Sequence, residues 1–206
     1  MKAMPKKVVL RKIGIVLLFL LCLGSDFFWG QEVRIPVDMQ VALFSKVLIF
    51  DRNLRSRASE EIIFGIVYQS LYRASLHAAE VFQESLDRLP GNKLCDLPVR
   101  IVMIDLEKNK ALDKAVLENK LNVLYVAPLR AFDPRSISTI SQAHKILTMT
   151  GVPDYLQSDI SISIDSVGGK PRVLINLPAA VSEGADFSSK LLNLVTIVDP
   201  KGSPRR

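Results

Sequence analysis

The side chains best suited to chemistry are few and scattered. The chain has two histidines, His77 and His144, and two cysteines, Cys22 and Cys95. A tetrahedral zinc site takes Cys and His at short, fixed spacings, and neither histidine has such a neighbour. A serine nucleophile of the hydrolase type sits in a GxSxG turn, which is absent. Asp105 and Glu107 follow a strand-like run, where open α/β sheets often place functional groups, but charged residues at a strand end are usually solvated. Gly168 and Gly169 precede a strand-like run, so they lack the order strand, glycine turn, helix that cradles a pyrophosphate. These residues predict a protein that is not an enzyme, with no catalytic residue, no metal and no cofactor.

Two polar clusters remain as binding candidates. Arg52, Arg55 and Arg57, with Ser56 and Ser59, read as a basic loop that is either a solvated turn or an anion contact. Ser188, Ser189 and Lys190 cannot all face the same core as Phe187 and Leu191. They either bond to nearby backbone, touch a partner or close a small polar cleft.

The elements that must position these groups alternate as a mostly parallel sheet requires. A broad apolar stripe over Val37 to Phe50 predicts a helix, with Asp38 capping its start and Asp51 to Asn53 ending it. Ile62 to Tyr68, Val99 to Ile104, Leu121 to Ala127 and Ile146 to Met149 read as strands, separated by helices over Leu71 to Leu86, Ala111 to Leu117 and Ile137 to Ala143. Crossovers of this length imply right-handed units and a Rossmann-like three-layer α/β sandwich. Ile160, Ile162 and Ile164 then alternate with polar residues, and the glycine pair turns them into Arg172 to Leu177 as a hairpin. A final helix is predicted from Ala179 to Val198, with a break at Gly184 and Asp186 capping its second part.

The amino terminus supplies the address. Lys2, Lys6, Lys7, Arg11 and Lys12 precede an apolar run from Ile13 to Leu23, the form of a cleavable secretory signal over residues 1–30. The run is about eleven residues, against roughly 20 for a bilayer-spanning helix. Cleavage near Gly30 takes the formal charge from +6 to about +2, too weak a field to favour nucleic acid as a partner. It also removes Cys22 and leaves Cys95 without an internal disulfide partner. About 176 residues remain, enough for one domain over residues 31–200 and a loose tail over residues 201–206.

The segments VALFSKVLIFDRNL (Val41 to Leu54), VLYVAP (Val123 to Pro128) and INLPAAVSEGADFSSKLLNLVTIV (Ile175 to Val198) resemble the YfiR family of exported bacterial regulatory proteins. The resemblance implies a periplasmic homodimer that binds the exported sensor region of an inner-membrane protein, a diguanylate cyclase or a histidine kinase, and in the former case represses cyclic-di-GMP synthesis. The cysteine-based redox control found in that family is not expected with Cys95 alone. An inhibitor of this kind needs a stable mixed patch, sought at Phe44, Phe50, Phe187, Ser188, Ser189, Lys190 and Leu191. The other reading is a periplasmic domain for a small ligand or anion, using Arg55, Arg57, Lys190 or the strand-end loops.

Overall fold

The computed structural model describes residues 35–108 and 111–199. The expected signal segment over residues 1–30 and the expected tail over residues 201–206 lie outside the described residues. In chain order the elements are α1 (Val37–Ile49), α2 (Leu54–Ala58), β1 (Ile62–Tyr68), α3 (Arg73–Asp87), β2 (Lys93–Leu94), β3 (Leu97–Asp105), α4 (Ala111–Asn119), β4 (Val123–Val126), α5 (Arg135–His144), β5 (Leu147–Thr150), β6 (Ile162–Val167), β7 (Lys170–Asn176), α6 (Leu177–Ser182), α7 (Ser189–Leu192) and β8 (Thr196–Val198). Two 3-10 turns, Pro90–Asn92 and Pro153–Ser158, join them.

The strands form one sheet in the order β2-β3-β1-β4-β5-β6-β7-β8. Strands β3, β1, β4, β5 and β6 run parallel, β7 returns antiparallel to β6, and β8 lies parallel to β7. This is the mostly parallel three-layer α/β architecture with a late hairpin that the pattern predicts. The hairpin turns where the glycine pair requires it: Gly168 and Gly169 have φ of 59° and 74°, and a two-residue turn with both φ positive matches the twist of the strands it joins.

Side chains on the central strands alternate between two cores. On β1, Ile62, Phe64 and Ile66 meet α1 and α3, whereas Ile63 and Val67 meet α4 and α5. Both faces are covered, so the strand is apolar throughout rather than alternating with polar residues. The first core is organised by aromatic rings. Phe82 stacks on Tyr125 with centroids 3.7 Å apart, and Phe44 and Phe64 tilt against that pair. The buried Tyr125 hydroxyl donates to Gln40 Oε1 at 3.1 Å, and Gln40 Nε2 donates to the Ile35 carbonyl at 2.8 Å, which satisfies polar groups that burial would otherwise penalise.

Three expectations change. The Arg52 to Ser59 segment is not a simple basic loop, because Leu54 and Ala58 are buried one turn apart and form α2. Asp38 lies inside the first turn of α1 and accepts the Met39 N–H, while Pro36 stands at the cap position. The single helix from Ala179 to Val198 does not form. Gly184 has φ of 84° and stops α6, Phe187 bridges to Asp51 as extended chain, and the β-branched run at the end joins the sheet as β8. Val195 to Val198 is four β-branched residues in succession, and β-branched side chains favour strand over helix.

Gly65 in β1 has no room for a side chain: a Cβ there would stand 2.5 Å from Leu124 Cδ2 and 3.0 Å from Ile104 Cδ1. Replacing Gly65 with Val will overpack the second core and lower stability by about 1–3 kcal/mol. Urea unfolding of the purified variant measures this, and an unchanged midpoint would show that Leu124 and Ile104 move aside freely.

Candidate functional site

Residues 183–188 leave α6 and cross to the corner between α1 and α2, forming a strap. Glu183 anchors its start. The helical spacing that buries Ala179 and Ala180 places Glu183 on the same inward face, and the residue is fully buried. Its carboxylate accepts hydrogen bonds from Ser141 Oγ at 2.7 Å, from Thr148 Oγ1 and N–H at 2.8 Å each, and from Ser161 Oγ. One side chain thereby ties α5, β5 and the approach to β6. Burial pushes its pKa up from 4.5 to about 7, against the opposing pull of the Ser161, Ser141 and Thr148 donors.

Asp51 holds the other end. Its Oδ1 accepts the Asp186 N–H and the Asn53 N–H, each at 3.0 Å, and its Oδ2 accepts Arg57 Nη2 at 2.6 Å. The Asp51 side chain is fully buried and that of Arg57 is 13% exposed. Arg57 also donates through Nη1 to the Glu183 carbonyl at 3.1 Å. Burial lowers the Arg57 pKa, and the Asp51 and Glu183 charges oppose that change. Backbone bonds complete the closure: Arg52 N–H donates to the Asp186 carbonyl at 2.9 Å and Ser188 N–H to the Phe50 carbonyl at 3.1 Å. The Arg52–Asp186 pair at 2.6 Å lies outside, with side chains 63% and 45% exposed, and an exposed pair of this kind adds little.

The strap divides the expected interface residues. Phe44, Phe187 and Leu191 are buried in the first core and support the face from beneath. Ser189 and Lys190 are exposed, Ser188 and Phe50 are partly buried, and Lys190 Nζ stands 5.9 Å above the Phe50 ring. Ser188 Oγ is enclosed without a hydrogen-bond partner. Asp186 does not cap a helix as expected, since its carboxylate faces Arg52; α7 begins later, after Ser188. The three cations of the anion reading do not converge. Arg55 bonds to the Cys95 carbonyl and to Asp96, Arg57 is taken by Asp51, and Lys190 lies over Phe50. Cys95 is a half-buried free thiol, its pKa raised mainly by burial.

The crevice that such sheets offer to ligands is occupied by the chain itself. Strand order reverses between β1 and β4, and open α/β sheets bind at the carboxyl ends of the strands beside such a reversal. Here Gln69 spans the opening, accepting the Arg130 N–H at 2.6 Å and donating to Glu107 at 3.3 Å. Asp105 accepts the Ser70 and Glu107 N–H groups. Burial alone would raise the Asp105 pKa, but the bonds from Ser70 and Glu107 and the nearby Lys108 lower it overall. His77 and His144 lie on separate helices, and among the described residues no group of three His, Cys, Asp or Glu side chains could hold a metal ion.

The sheet and its covering helices define a three-layer α/β domain with a mostly parallel sheet. A crystal structure of a conserved domain protein from Vibrio cholerae O1 biovar El Tor shares this fold, with a TM-score of 0.50 and 14% identity over 79% of this chain. The present chain spans about 60% of that protein's length. A substrate binding protein with adhesive properties from Clostridium difficile, in its ligand-free open form, matches at a TM-score of 0.45 and 15% identity, over 71% of this chain and 57% of the other. No curated protein matches the sequence. The YfiR/HmsC-like family model matches residues 67–196, more than half the chain, and the protein belongs to that family. The match takes in Glu183 and the strap but begins after Asp51 and Arg57, which the structure joins to it.

Two outcomes follow from the strap. Asp51→Ala leaves Arg57 buried without its counter-charge and will destabilise the protein by about 3–5 kcal/mol, measured by urea unfolding; an exposed-pair variant, Asp186→Ala at the Arg52 contact, provides the comparison. Glu183 binds its proton more tightly in the folded state than its ordinary value of 4.5 allows. Its contribution to stability is therefore full below about 4.5 and lost as pH rises through about 7, a change of roughly 3 kcal/mol. Wild type will lose stability relative to Glu183→Gln between pH 5 and pH 8 on the order of that amount, and parallel pH profiles would refute the assignment.

Proposed function

We propose that the protein is a periplasmic regulator that binds the exported sensor region of an inner-membrane signalling protein and represses it, with a diguanylate cyclase as the partner. It acts by binding and not by catalysis, and works as a homodimer. Family membership supports the class of partner, and the basic-then-apolar segment at the amino terminus supports export.

The observation that carries the reading is the exposed face beside the strap. Phe50 and Lys190 form a mixed apolar and basic surface with Ser189, and Leu194, just beyond α7, is 73% exposed. An aromatic ring with a cation over its face has the composition of an interface centre. Beneath it, the buried Phe187 and Leu191 and the Asp51–Arg57 pair hold the backbone in place. A face fixed in advance needs little rearrangement on binding and loses less freedom when the partner docks.

Crosslinking in the native envelope followed by mass spectrometry tests this. The wild-type protein will recover a membrane protein with an exported sensor region. Phe50→Ala combined with Lys190→Glu will weaken recovery by about thirtyfold, the effect of losing roughly 2 kcal/mol at an interface centre, while the melting temperature stays near that of wild type. Equal recovery by the folded variant would remove this face from the partner contact.

A further inference from the structure

We propose that a basic depression at the amino-terminal edge of the sheet is a binding site for a compact phosphate group. It has a volume of about 330 Å³ and is lined by Arg57, Lys120, Asn122, His144 and Lys145 over an apolar floor. Among the described residues no carboxylate lines it. The residues come from three elements that meet here: α2, the turn from α4 into β4, and the turn from α5 into β5.

The cations are held in unequal ways. Arg57 is oriented by Asp51 and by the Glu183 carbonyl, and Asn122 fixes the backbone beneath it, donating to the Arg57 carbonyl at 3.0 Å while accepting the Ile63 N–H at 2.8 Å. Lys145 Nζ reaches the Ser182 carbonyl at 2.8 Å. Lys120 and His144 are exposed and have no hydrogen-bond or ion-pair partner among the described residues.

Helix ends account for part of this charge but not all of it. α4 and α5 both end at the depression, and each helix carboxyl terminus carries about half a negative charge. Lys120 and Lys145 supply two positive charges against roughly one from the two dipoles, and Asp51 balances Arg57. About one positive charge remains when Glu183, whose charge also acts on Arg57, holds its proton. A dianion gains about twice as much as a monoanion in the same field, which favours phosphate over a single carboxylate.

The backbone adds an independent observation. Lys120 and Lys145 follow the helices with φ of 49° and 59°, the left-handed position that glycine or asparagine fills with less strain. A lysine stands at both ends instead, and both lysines line the same depression. The left-handed caps turn the chain at the ends of α4 and α5 and bring both lysines to the depression. The site neighbours the strap but does not rest on the partner reading, since it can bind whether or not the Phe50 and Lys190 face meets a membrane protein.

The test is titration calorimetry of the purified protein with inorganic phosphate at low ionic strength, alongside flotation with vesicles containing phosphatidic acid, whose headgroup is a phosphomonoester. Saturable heat with phosphate, weakened at least tenfold in Lys120→Gln and retained in Lys120→Arg, establishes a site for a free phosphate compound. Vesicle binding that depends on Lys120 in the same way, with no heat from inorganic phosphate, assigns the site to a lipid headgroup. The inference fails if neither probe binds, or if Lys120→Gln and the double variant Lys120→Gln, His144→Gln bind as wild type does. Lys120 and His144 make no internal bond, so both variants are expected to fold, and their melting temperatures check this.

Discussion

The buried pair of Asp51 and Arg57 is the constraint on which the rest of the structure depends. Charges removed from water are penalised heavily unless every lone pair and proton finds a partner. Asp51 meets that demand with Arg57 and with the N–H groups of Asn53 and Asp186. Those bonds join two stretches of chain about 130 residues apart and set the path of the strap. The outer Arg52–Asp186 pair has a similar distance but lies in solvent. Its loss would leave the backbone bridge and the inner carboxylate in place.

Glu183 extends the same logic one step inward. Four donors surround a carboxylate that burial alone would keep protonated. The competition leaves its titration close to neutral pH, and the group ties the strap to α5, β5 and the chain entering β6. Arg57 is shared between both anchors, since it bonds to the Asp51 carboxylate and to the Glu183 carbonyl. The two anchors form one network rather than two separate contacts.

The usual binding place in the fold is filled by the chain's own contacts. At the reversal of strand order, Gln69 and Asp105 take up loop N–H groups that could otherwise face a ligand. The opposite edge of the sheet is where α2, α4 and α5 converge and where exposed cations gather. The strap borders that edge through Arg57 and Lys145, both of which stand within 3.6 Å of where a Cβ on Gly184 would be. A small anion and a protein partner would therefore act on neighbouring surfaces of one rigid corner.

The core strands, their crossover helices and the hairpin were legible because each carries its own periodicity or turn chemistry: Ile62 to Tyr68 is uniformly apolar, and Gly168 and Gly169 sit where a tight turn needs positive φ. The carboxyl-terminal helix was misread because spacing alone gives Phe187 and Leu191 a helical face, while the bond from Ser188 to Phe50 draws that segment into extended chain. Glu183 was readable in part, since it shares a helical face with Ala179 and Ala180. The sequence by itself determined the alternation of strands and helices and the family likeness, because these depend on local pattern and composition. Only the tertiary structure decided that Asp51, Arg57 and Glu183 form one network, that Phe44, Phe187 and Leu191 lie beneath the surface, and that Lys120 and Lys145 converge. Each of those facts depends on contacts between residues distant in the chain, which no local spacing encodes.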